Sequence, residues 1–161
     1  MKKEVRLYNV LFPVWILVWI PSFFWIVLIP LNYCLDRFVL KKSLPDTIDK
    51  DSFCNKTAYK ICASGFFCDL IGSILMFSSL YLTGVDYRLA NAISFDPFSH
   101  VMAFFFVLSM IAVSGSLIYF IDKRILLKAG LNEAQAKRSA LFLAVFTAPY
   151  LFLFPSKWIY S

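Results

Sequence analysis

Four stretches of this chain are apolar over lengths that match a lipid bilayer, and that feature excludes most folds at once. About 20 apolar residues rising 1.5 Å each cross the hydrocarbon core, and such stretches lie within 8–33, 59–83, 97–128 and 133–155. With 60% hydrophobic and only 16% charged residues in 161, a soluble domain is ruled out. The stretches lack the ten-residue alternation of a membrane barrel. The expected class is an all-α integral membrane protein.

The first stretch, YNVLFPVWILVWIPSFFWIVLIPLNY, differs from the others. Pro13, Pro21 and Pro30 interrupt it, and Trp15, Trp19 and Trp25 crowd its centre. Proline lacks an N–H and clashes with the carbonyl four residues back, so Pro21 divides the stretch. Each half reaches roughly 16 to 20 Å if helical, enough for mid-bilayer and no further. Tryptophan favours the interface, which a shallow hairpin supplies and the centre of a spanning helix does not.

The loop charges bear on the same choice. If all four stretches span, eleven of the 16 Lys and Arg share one side, and Lys2, Lys3 and Arg6 fall on the other. If the first stretch enters and returns, fourteen share one side, as the positive-inside rule prefers. The expectation is one membrane domain: a small helical bundle of three spanning helices plus an N-terminal Pro-broken hydrophobic hairpin at 8–33. Four spanning helices are the alternative. The basic loops 34–58 and 122–138 would be cytoplasmic, with the protein in the plasma membrane.

Composition narrows the partners. The net charge of +6 sits beside the apolar stretches, so it orients the chain and is no nucleic-acid footprint. Arg37, Lys41, Lys42, Lys123 and Arg124 are placed to hold anionic head groups of membrane lipid, each contributing about 1 kcal/mol near such a surface. Cys34, Cys54, Cys62 and Cys68 contain no Cys-x-x-Cys pair and read as reduced small hydrophobes. The only histidine, His100, has no neighbouring His or Cys, so neither a metal nor a cofactor is expected.

Helix punctuation is clear in three places. Asp96-Pro97 suits an N-cap followed by proline at the first helical position. Gly130 suits the residue after a helix end, and Asn132 with Gln135 resembles a capping box. Pro149 should break the last helix and free the carbonyl of Val145.

One acid, Asp69, lies well inside a span, about 14 Å beyond Lys60 on a helix. An ionisable side chain in hydrocarbon costs about 2.5 to 3.5 kcal/mol and so marks a functional site by default. Depth arithmetic puts Ser109, Thr147 and the Pro21-Ser22 break near its level. Asp69, Ser109, Thr147 and Ser22 are therefore the expected ion or proton site. Ser109, Ala112 and Ser116 form the expected small face of the third span, and Ala140, Ala144 and Ala148 that of the fourth.

No catalytic His–acid pair, serine with a base, or glycine-rich phosphate loop occurs at usable spacing. The expected function is that of a transport-related or accessory membrane subunit, within a homo-oligomer or a larger membrane complex. The alternatives are a structural, partner-stabilising membrane protein, and a membrane-embedded lipid-modifying enzyme using Asp36 and Asp122 at the cytoplasmic face. The hairpin predicts that a Lys2→Cys substitution in a cysteine-free background is labelled by a membrane-impermeant maleimide only after permeabilisation. Labelling of intact cells would exclude the hairpin.

Overall fold

The protein, seen in a computed structural model, is described over residues 24–82, 84 and 86–158. Five helices build it: α1 (Phe24–Ser43), α2 (Lys50–Leu82), α3 (Tyr87–Phe95), α4 (Val101–Lys128) and α5 (Glu133–Phe146). Three-residue to four-residue 3₁₀ turns follow at Pro97–Ser99, Tyr150–Leu153 and Ser156–Trp158. There is no strand among the described residues. Three helical segments are long and apolar enough to cross a membrane: Lys50–Leu80, Val101–Lys128 and Glu133–Leu153. These features make it an all-helical, small membrane protein. The hairpin's Pro13, Pro21 and Ser22 lie outside the described residues.

The segment 34–58, expected as a loop, is mostly helix. α1 carries through to Ser43 and α2 starts at Lys50, leaving 44–49 as the connection. The reason is packing: Leu40, Leu44, Cys54 and Ile61 join Leu126, Leu131, Ala136, Ala140 and Leu143 in one buried cluster. Polar groups close the connection, with the Ser52 N–H donating to Asp49 Oδ1 at 3.3 Å and Lys50 paired with Asp46 at 2.6 Å. Lys50 holds the exposed Asp46 carboxyl below its ordinary range. Lys41 on α1 meets Asp51 on α2 at 2.6 Å, so the two helices are also tied at the surface.

The α4–α5 turn follows the sequence closely. Gly130 adopts φ 104°, the left-handed conformation that suits glycine. Leu131 N–H bonds the Leu126 carbonyl at 3.2 Å and Gly130 N–H bonds that of Leu127 at 3.1 Å, a Schellman arrangement. Asn132 and Gln135 complete a reciprocal capping box. The start of α4 differs from the expectation. Pro97 opens only a 3₁₀ turn, and extended His100 (φ −145°, ψ 126°) separates that turn from the helix. His100 is the N-cap, its Nδ1 accepting the Met102 N–H at 3.2 Å.

Cross-helix contacts fix direction. Ser64 meets Asp122, and further along both Cys68 and Gly72 meet Ser114, so α2 and α4 run antiparallel. The buried stripe of α4 is Ala103, Val107, Ile111, Ser114, Ile118, Asp122 and Leu126. Ser109, Ala112 and Ser116, expected as its packing face, are exposed. The stripe is set by the large residues that recur every third or fourth position; the serines off it turn back on their own helix, Ser109 to Phe106 and Ser116 to Ala112. Ala140 and Ala144 are buried, as their spacing suggests.

Gly72 has to be small, because a Cβ there would run into Ser114 Oγ and crowd Phe152. At Gly65 a Cβ would stand 3.9 Å from the Asn32 side chain, an ordinary contact. Gly72→Ala should therefore lower stability by about 1 to 3 kcal/mol through overpacking. Gly65→Ala should change it by less than about 1 kcal/mol, both measured by unfolding of the purified protein in mixed micelles.

Candidate functional site

Three carboxylates turn inward where α1, α2, α4 and α5 meet. α1 supplies Asn32 and Asp36, four residues apart on one face, and Asn32 Nδ2 donates to Asp36 Oδ2 at 3.4 Å. The Asp36 carboxyl also lies beside Cys62 of α2 and Thr147, the residue that ends α5. α2 supplies Asp69, seven residues beyond Cys62. α4 supplies Asp122, whose Oδ1 accepts from Ser64 Oγ at 2.5 Å. Asp36 is within electrostatic reach of both Asp69 and Asp122.

Water and counter-charges are both scarce there. Asp122 is 0% exposed and Asp36 2%, whereas Asp69 is half-buried. None of the ion pairs among the described residues includes any of the three; the nearby cations are engaged elsewhere, Arg37 and Lys41 with Asp51 and Lys123 with Glu133. Buried polar atoms are normally bonded, yet Asp69 Oδ1, Asp122 Oδ2 and Ser139 Oγ have no partner. Asp122 and Ser139 are each eight residues from the Gly130-Leu131 turn, so antiparallel α4 and α5 bring both to one level, about 12 Å from it. Ser64 also lies 2.8 Å from the Ile61 carbonyl. A serine has one proton to donate, so Asp122 Oδ1 and the Ile61 carbonyl share it.

A cavity of about 1060 Å³ reaches this cluster from one end of the bundle. Asn32, Asp69 and Thr147 form its polar floor, and Asp96, Ser99 and Trp158 stand toward its mouth. The break in α5 shapes one wall. Pro149 donates no N–H to Val145, and the Tyr150 hydroxyl donates to that carbonyl instead. The Thr147 hydroxyl turns back to Leu143 at 2.9 Å. At the opposite end a cavity of about 110 Å³ is lined by Thr57, Lys60, Ile125, Lys128 and Ala129.

Of the residues expected at an ion or proton site, Asp69 and Thr147 share the large cavity. Ser109 is exposed and bonded within its own helix, away from them, and Ser22 lies outside the described residues. Among the residues expected to meet lipid, Arg37, Lys41 and Lys123 are engaged by carboxylates; Lys42 lies 5.8 Å over the Phe38 ring and Arg124 is exposed.

Asp36 and Asp122, expected at the cytoplasmic face for a lipid-modifying enzyme, are interior instead. Their burial follows from register: Asp36 is one turn from buried Leu40, and Asp122 lies one turn from both Ile118 and Leu126 on the apolar stripe of α4. That spacing was the available signal. The four cysteines are free, with Cys54, Cys62 and Cys68 buried. Among the described residues, no three His, Cys, Asp or Glu side chains are grouped to hold a metal ion. No family model, curated protein or solved structure matches the chain.

Proposed function

We propose that this membrane protein is a transport-related subunit in which Asp69, Asp36 and Asp122 relay protons between the large cavity and the opposite end of the bundle. The observation that supports this reading is the burial of three inward carboxylates outside every ion pair of the described residues, two of them with an unbonded oxygen. Intramembrane acids are costly and characteristically line proton pathways. A carboxyl that is protonated donates, and its ionised neighbour accepts. Asp69 takes a proton from water in the cavity and passes it to Asp36, which passes it to Asp122 directly or through a bridging water. The Ser64 hydroxyl and Ser139 then lie on the exit side. Protons suit the site better than a metal ion, because the acids do not converge on one coordination point. Three spans enclose little volume alone, so the working unit is a homo-oligomer or part of a larger membrane complex.

A structural reading has one observation in its favour, the buried Ser64–Asp122 bond that ties α2 to α4. The two differ at Asp69, which closes no helix–helix bond through Oδ1.

Purified protein in vesicles with an imposed potassium-diffusion potential should acidify or alkalinise the lumen, followed by an enclosed pH dye. Asp69→Asn and Asp36→Asn should each cut the rate at least about tenfold while leaving folding intact, and Asp46→Asn, in the exposed connection, should leave it unchanged. A rate no higher than that of empty vesicles, or an undiminished rate in Asp69→Asn, would remove the proposal. Loss of folded protein in Asp122→Ala with no flux in the wild type would instead support the structural role.

A further inference from the structure

The large cavity has a chemistry of its own that proton transfer does not use. At about 1060 Å³ it is at the upper end of the 300 to 1,000 Å³ or so typical of small-molecule sites. Phe98, Phe146, Tyr150, Phe154 and Trp158 furnish aromatic surface around it, with Asp69 at the floor and Asp96 near the mouth. No lysine, arginine or histidine is among its described lining residues. Aromatic faces attract cations, quaternary ammonium groups above all, and the attraction grows where water is excluded. Asp69 lines that floor, while its Oδ1 is enclosed in the protein and unbonded. Asp69 and five aromatic rings, with no lysine, arginine or histidine among the described lining residues, are complementary to one kind of molecule.

We propose that the cavity binds a monovalent organic cation with an aromatic or alkyl body, its charge against Asp69 and its body against the aromatic wall. An inorganic cation would leave that wall unused, and an anion would face both acids. A neutral lipid chain would fill the apolar part but leave the carboxylate uncompensated. The binding site stands on the cavity alone. Only its consequence rests on the proton-relay reading: an organic cation seated at Asp69 occupies the first station of the relay, so cation and proton exchange for one another.

The test is equilibrium binding of tetraphenylphosphonium to the full chain in lipid nanodiscs, corrected for uptake by empty nanodiscs. Tetraphenylborate serves as the probe of equal shape and opposite charge. Saturable binding of the cation and none of the anion is expected. Asp69→Asn should weaken it at least about tenfold, Asp69→Glu should restore most of it, and Tyr150→Leu with Phe154→Leu should weaken it by a similar factor. Elution and thermal unfolding like those of the wild type show that each variant is folded. Equal binding of cation and anion would make the cavity a nonspecific apolar cleft. Unchanged affinity in folded Asp69→Asn, or no saturable binding at all, would likewise overturn the proposal. Binding without proton flux would sustain the cation site and sink the relay; flux without binding would do the reverse.

Discussion

The arrangement of this bundle depends on where it puts carboxylates that the bilayer cannot solvate. Removing an ionised group from water is costly unless it is paired or neutralised. Here Asp122 is closed off completely and is met by a serine rather than by lysine or arginine. That choice has a mechanical consequence. A short serine permits α2 and α4 to approach closely, and the approach continues at Gly72, whose missing side chain leaves room for Ser114. The polar contact and the tight packing are parts of one interface.

The same economy of polar groups governs the backbone. Where the helices end, each freed group finds a local partner, because lipid offers none. The Schellman turn at Gly130 and the capping box at Asn132 close one end of α4 and α5. The Tyr150 hydroxyl closes the break that Pro149 opens at Val145. That last device matters for the site. By ending α5 at Thr147, the proline turns the chain into a 3₁₀ segment, and its residues wall the cavity above Asp69. A straight helix would carry those side chains past the acid.

The spans and their caps were legible in the sequence because their causes are local: length of apolar run, proline, glycine and a reciprocal Asn–Gln pair. Asp69 and Thr147 were legible as partners because depth along a helix is simple arithmetic. Ser109 misleads for the complementary reason. Depth gives the level of a residue but not its azimuth, and Ser109 points away from the interior. Asp36 and Asp122 were hidden by their neighbours in sequence, since Arg37, Lys123 and Arg124 make both segments look solvated. The stripe Ile118–Asp122–Leu126 outranks that impression, because burial is decided by the face a side chain shares and not by the charge of the adjacent residue. His100 shows the limit of capping rules too: Asp96 and Pro97 satisfy them, yet one extended residue moves the helix start to Val101.

The two ends of the acid cluster are not equivalent, and that inequality gives the site a direction. Asp69 faces a space large enough for a molecule, whereas the opposite cavity of about 110 Å³ holds only a few waters at about 30 Å³ each. Between them, Asp36 and Asp122 are enclosed in the packed helices, 2% and 0% exposed. The packed section is also where the Ser64–Asp122 bond holds α2 against α4. The Ser64–Asp122 bond therefore serves two ends at once: it ties α2 to α4, and it gives the fully enclosed acid a polar partner.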